Sequence, residues 1–295
     1  MARETAMWQV GPFHFNLYGL ALGAGLLVGL AVAFSEARRK GQDEDRFATA
    51  MIATIIAGLV GARLAYILLN LKAYLAEPAS MLRLWDGGLS LVGTLIAGGL
   101  TLFIASRHLR LRPAVSLDAA APGMAIGHAI GRVGCDLFGL PTTLPWAVNV
   151  GGQWVHPAQA YEVVTDVILF AWLWSRRKDQ RPGVQTARFV LGYSAFRFLI
   201  EFTREPRTLL FLSPGQWATL VAMGASVAWL RRARRPSAPA ADPAPAAVDG
   251  PAPVASVDPL QRVPAWAWGL AVPVLLIAYY ALNAAQSPLA RLAAK

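Results

Sequence analysis

Residues 13–40 read FHFNLYGLALGAGLLVGLAVAFSEARRK. The first part, 13–34, holds no Asp, Glu, Lys or Arg, and Arg38, Arg39 and Lys40 follow it. A helix crossing a bilayer needs about 20 apolar residues. A run of this kind, apolar throughout rather than with a period of two, predicts a membrane helix and not a barrel strand. It also reads as a retained helix. Arg3 and Glu4 cancel, so no basic segment precedes it, and no small-residue cleavage site follows. The pattern repeats, predicting spans at 48–70, 88–106, 114–134, 158–175, 185–203 and 213–230, with an eighth at 264–284. The chain of 295 residues is 56% hydrophobic and 15% charged. Soluble domains carry about 25% charged residues, so a soluble enzyme is excluded, as is disorder over most of the length. The expected fold class is all-α: a polytopic membrane helix bundle of seven core helices plus a C-terminal eighth.

Working outward, the formal charge of +10 has a location. Fifteen of the 27 basic residues fall in four alternate segments: 38–46, 107–112, 176–181 and 231–235. The N-terminus and the other three loops hold only Arg3, Lys72, Arg83, Arg204 and Arg207. The positive-inside rule then puts the N-terminus outside and the basic loops in the cytoplasm. The charge marks orientation and is no argument for nucleic acid. Residues 236–262 are rich in Pro and Ala and have too few large apolar groups for a core, which predicts a cytoplasmic linker. Three regions follow: a membrane domain at 1–235, the linker at 236–262, and an appended helix with its tail at 263–295. The single cysteine, Cys135, excludes an intrachain disulfide and a four-thiolate zinc site. The four histidines lack metal-ligand spacing, so neither metal nor cofactor is expected.

Ionisable groups at membrane depth cost roughly 2.5–3.5 kcal/mol each on insertion scales and face a cavity or a partner. Five stand out: Arg63, Arg132, Glu162, Arg197 and Glu201. In FRFLIEFTRE, Arg197 and Glu201 share a helix face with Tyr193 and Arg204. One reading is an internal salt bridge. The other is an anion site, because two Arg and one Glu leave a positive charge and the planar guanidinium holds phosphate oxygens bidentately. Arg132 lies among Gly127, Gly131 and Gly134, which permit close approach of a helix or ligand. Glycine packing alone does not explain that arginine. Arg63 fits either snorkelling to the outer interface beside Tyr66 or a direct role. Gly87, Gly88 and Ser90 open a helix whose N-terminus favours anions, or merely give the chain a flexible start. His156 and Glu162 lie in HPAQAYE, at the opening of the fifth span. Cys135 reads first as a packing residue, since no base neighbours it in sequence.

The ordered strings LYGL (17–20), GARLAY (61–66), DGGLSLVG (86–93), HAIGRVGC (128–135), PTTLPWAV (141–148), HPAQAYE (156–162), RFLIEFTREP (197–206) and LSPGQ (212–216) resemble the prolipoprotein diacylglyceryl transferase family of the bacterial inner membrane. The resemblance covers 10–230. It implies transfer of a diacylglyceryl group from phosphatidylglycerol to the lipobox cysteine of a prolipoprotein signal peptide, with loss of glycerol phosphate. It also implies catalytic roles for Arg132, Arg197, Glu201 and Tyr18. Substrate binding would fall to Arg63, Gly87, Gly88, Ser90, Gly131, Gly134, His156, Glu162, Tyr193 and Arg204. Two departures stand out. Val92 occupies the position where the family pattern has His or Tyr, and valine can neither take a proton nor donate one. The loop after the arginine signature is short, with Cys135 in place of the common Asn. Val92 leaves three readings: catalysis with another base (His128, His156 or Glu201), a different acceptor, or a non-catalytic phospholipid-binding relative. A solute transporter is disfavoured, since no paired repeats or interrupted helices are evident.

Overall fold

The computed structural model describes residues 7–10, 13–83, 88–179, 181–204, 211–234 and 275. It is predominantly helical, and its long helices fall where the apolar runs lie: α1 (Leu17–Arg39), α2 (Glu44–Leu69), α4 (Leu91–His108), α5 (Pro113–Val133), α6 (Ala158–Ser175), α7 (Val184–Glu201) and α8 (Pro214–Arg234). Between α2 and α4 the chain forms a short helix, α3 (Leu71–Ala76), and a 3-10 turn, Pro78–Leu82. Among the described residues, three helices, α1, α2 and α4, are long and apolar enough to cross a membrane. Of the five ionisable groups singled out, Arg63 lies on α2 and the other four on α5, α6 and α7. Large apolar side chains such as Leu27, Ile52, Ile56 and Leu68 lie exposed, as lipid-facing residues do. This is a polytopic helical membrane bundle. The expected linker and eighth helix lie outside the described residues, apart from Leu275. That residue packs against Val133, Ala160 and Val163.

The termini of the spans differ from expectation for local reasons. The first helix starts at Leu17, not 13, because 13–16 form a strand. Strand β1 (Met7–Val10) pairs antiparallel with β2 (Phe13–Asn16), with Trp8 opposite Phe15. The sequence FHFN alternates apolar and polar, a strand period hidden at the edge of an apolar run. Helix α2 starts at Glu44, not 48. Asp43 accepts a hydrogen bond from the Arg46 backbone N–H at 2.9 Å, and Glu44 and Asp45 fill the first turn, where the helix dipole favours acids.

The chain divides into two compact units, 36–120 and 1–35 with 121–295. Within 36–120, α2 packs along α4. Within the second unit, α6 packs on α7 and α7 on α8, and α1 meets α5 backbone to backbone. A Cβ at Gly29 would lie 2.7 Å from the Gly123 carbonyl, and one at Gly127 would lie 2.7 Å from that of Gly25. Small residues that let backbones approach are the usual device of membrane helix packing. The loop after α5 folds over the start of α6. Strands β3 (Val148–Val150) and β4 (Gln153–Val155) form a hairpin whose turn, Gly151–Gly152, has positive φ at both residues. Gly139 N–H donates to the His156 carbonyl at 2.9 Å, and Leu140 N–H donates to that of Thr203 at 2.8 Å. The hairpin loop is thus tied to the ends of α6 and α7, which carry the charged groups.

Candidate active site

Helices α5, α6 and α7 each place ionisable residues at helical spacing on one face. Those faces converge in the unit formed by 1–35 and 121–295. Helix α5 supplies His128 and Arg132. Helix α6 supplies Glu162 and Asp166. Helix α7 supplies Tyr193, Arg197 and Glu201, and Arg204 follows its end. Glu162 is the hub. Its Oε2 lies 2.5 Å from Arg132 Nε, and its Oε1 lies 3.1 Å from Arg204 Nη1 and 3.4 Å from Arg197 Nη1. Arg197 Nη2 also pairs with Glu201 Oε2 at 2.8 Å, and Ser213 Oγ donates to Glu201 Oε1 at 3.0 Å. Gln216 braces this end. Its side-chain oxygen accepts from Ser213 N–H at 2.9 Å, and its Nε2 donates to the Phe198 carbonyl at 3.2 Å.

The positive excess counted along the α7 stripe is corrected here. Counting Arg132, Arg197 and Arg204 against Glu162, Glu201 and Asp166 balances the charge. A stripe on one helix cannot reveal the carboxylates that face it from another. Asp166 is the member of this cluster that the sequence reading missed. Its four-residue spacing from Glu162 in AYEVVTDVIL was the available signal.

His128 bridges Asp166 and Arg132. Its Nδ1 lies 2.5 Å from Asp166 Oδ2, and its Nε2 lies 3.1 Å from Arg132 Nε. An arginine Nε–H can only donate. Nε2 is therefore an acceptor, the proton sits on Nδ1, and Nδ1 donates to Asp166. Arg132 Nη1 also reaches Cys135 Sγ at 3.3 Å, so Cys135 is not merely a packing residue. The Tyr193 ring meets His128 edge-on at 5.8 Å and stacks on Phe189 at 5.9 Å. Tyr18, half-exposed near the start of α1, shares the electrostatic surroundings of Arg132 and Cys135. Gly134 is buried just beyond α5. A Cβ on Gly131 would make only ordinary contact with Leu22, although the Gly131 backbone N lies 3.1 Å from a Cβ placed on Gly25; Gly127 makes the close approach expected of it, joined by Gly123.

His156 lies at the loop edge of α6. Its Nδ1 is 3.1 Å from the Tyr161 hydroxyl, which accepts from Trp146 Nε1 at 2.8 Å. Burial pushes the His156 imidazole below its ordinary value, which favours the neutral form.

The remaining expected residues lie in the 36–120 unit. Arg63 does not snorkel. It is buried, with Nε donating to the Met81 carbonyl at 3.0 Å, Nη2 to those of Ser80 and Arg83 at 2.6 and 3.0 Å, and Nη1 to that of Gly88 at 3.2 Å. It clasps the loop that precedes α4. Gly88, at φ +78°, fits because a Cβ would strike the Tyr66 ring. Ser90 caps α4, accepting from Gly93 N–H at 3.4 Å, so its hydroxyl serves its own helix. Gly87 lies outside the described residues. Val92 is exposed on the first turn of α4.

Fold and site together define a class: a polytopic helical membrane protein built around buried carboxylates paired with part-buried arginines. The family described as prolipoprotein diacylglyceryl transferase matches residues 5–231. The chain is similar to the phosphatidylglycerol–prolipoprotein diacylglyceryl transferase of Bordetella parapertussis, 35% identical over 256 residues, 78% of this chain and 95% of that protein. Proteins of the same name from Halalkalibacterium halodurans and Geobacter sulfurreducens are each 32% identical. The first match covers 78% of this chain and 87% of the relative; the second covers 73% and 87%. The chain belongs to the prolipoprotein diacylglyceryl transferase family, and it is a transferase of the bacterial membrane.

Proposed function

We propose that this chain moves the diacylglyceryl group of phosphatidylglycerol onto the lipobox cysteine of a prolipoprotein signal peptide, the first step of lipoprotein maturation. The lipobox thiol gives up its proton, the thiolate sulfur attacks the glyceryl carbon, the C–S bond forms, and the C–O bond breaks. Glycerol phosphate leaves with the bonding electron pair and takes up the released proton. The observation that carries this reading is the convergence of Arg132, Arg197 and Arg204 on one carboxylate. That geometry is an oxyanion fork which Glu162 fills as an internal counter-ion. An arriving phosphodiester takes over the Arg197 and Arg204 donors and meets the Nη edge of Arg132, and the arginines stabilise the charge that grows on the leaving phosphate. Arg132 and Arg197 are the catalytic pair, Glu201 holds Arg197, and Tyr18 closes the site from α1. Arg204, Tyr193, Glu162, His156 and the glycines Gly131 and Gly134 shape the substrate cavity. Arg63, Gly88 and Ser90 act by holding the start of α4, and Gly87 is assigned to substrate binding beside them. The basic loops set the N-terminus outside the cytoplasmic membrane.

Purified protein incubated with phosphatidylglycerol and a lipobox peptide tests this directly. Mass spectrometry is expected to find a diacylglyceryl thioether. Arg132→Ala and Arg197→Ala should each lower turnover by about 10²–10³-fold while the proteins still insert. Thioether formation at the wild-type rate in both variants would remove the assigned roles. Val92 favours one competing reading, a phospholipid-binding relative without catalysis. No product with any anionic donor, together with product after Val92→His, would select it.

A further inference from the structure

We propose that Asp166 and His128 are positioning residues that set the rotation of the Arg132 guanidinium. The inference rests on the reading that Arg132 receives the donor phosphate. Three constraints act in series. Asp166, 4% exposed at its side chain, fixes Nδ1 of His128 from 2.5 Å. The fixed tautomer presents the Nε2 lone pair to Arg132 Nε at 3.1 Å. With Nε anchored, the Nη edge of Arg132 is held in one orientation, and its Nη1 reaches Cys135 Sγ at 3.3 Å. An arginine side chain has many rotamers, and ordering it before the substrate arrives removes an entropic cost from binding. The edge-on Tyr193 ring holds the imidazole from another side.

The same geometry argues against His128 as the base that takes the thiol proton. A proton on Nε2 would set its N–H against the Arg132 Nε–H across 3.1 Å. His128 works here as a neutral acceptor.

Two measurements on the full-length protein test the proposal: steady-state transfer with phosphatidylglycerol and a lipobox peptide, and phosphatidylglycerol affinity by native mass spectrometry. His128→Leu and Asp166→Leu should each weaken donor affinity and raise KM by about tenfold, the effect of one lost buried hydrogen bond. The double variant should be no worse than either single, because both act through Arg132. His128→Gln and Asp166→Asn keep an acceptor oxygen and should recover most of the affinity. A 10²–10³-fold fall in kcat for both His128→Gln and His128→Leu at unchanged KM would overturn positioning and make His128 the base. Unchanged affinity in all four variants would overturn it as well. The affinity readout stands without turnover. A wild type that binds phosphatidylglycerol but makes no thioether sinks the transfer reading alone, and the affinities still decide the positioning one.

Discussion

At the residue scale, Glu162 is the group whose removal should be felt most. It is 5% exposed at its side chain and faces three guanidinium groups. Breaking a buried ion network from one side leaves uncompensated charge and costs about 3–5 kcal/mol. Glu162→Ala should therefore lower the thermal unfolding midpoint in detergent much further than Arg204→Ala, which leaves Glu162 two partners. Equal midpoints would mean that the cluster is hydrated rather than buried. The α7 stripe was legible because Tyr193, Arg197, Glu201 and Arg204 recur at helical spacing. The hub role of Glu162 was not, because spacing along one helix carries no information about which residues of a neighbouring helix it meets. The burial of Arg63 was not legible for the same reason. Its partners are backbone carbonyls 17 to 25 residues away.

At the element scale, apolar runs located every long helix among the described residues but not its ends, which caps and short strands decide. The contact of α1 with α5 is set by glycines. A side chain at Gly25 would collide with the Gly127 carbonyl, whereas one at Gly23 meets nothing within 4 Å. Gly25→Val should then lower thermal stability and donor turnover together, through α5 and its His128–Arg132 face. Gly23→Ala should change neither. The loop joining α6 to α7 has its own restraint. Asp179 accepts from Arg181 Nε and Nη2 at 3.0 and 2.7 Å, and from Arg188 Nη2 at 2.7 Å. Hydrogen bonds from Arg181, with Arg188 beside it, hold the Asp179 carboxyl well below the usual carboxylate range. Its folded value lies below its unfolded one. The stabilisation is thus complete above the ordinary carboxylate value near 3.8 and is lost as pH falls through the lowered value. Asp179→Asn should make this loop more protease-sensitive at neutral pH and remove most of the wild type's further sensitisation on acidification. Identical digestion profiles across pH would discard that role.

At the scale of the whole molecule, composition settled the environment and charge distribution predicts the orientation. The 15 basic residues in alternate segments are the signal on which that expected orientation rests. The part-buried arginines of the cluster add nothing to the net charge, because Glu162, Glu201 and Asp166 balance them. Net charge alone therefore misleads about partners, and only its division between loops and helix interiors separates topology from chemistry. A labelling experiment follows from that division. Gln153 is exposed on the β3–β4 hairpin, and Lys178 is exposed in the basic α6–α7 loop, at opposite ends of α6. In a Cys135→Ser background, Gln153→Cys should react with a membrane-impermeant maleimide in intact spheroplasts. Lys178→Cys should react only after permeabilisation. The reverse pattern would invert the orientation and place the Glu162 end of α6 towards the cytoplasm.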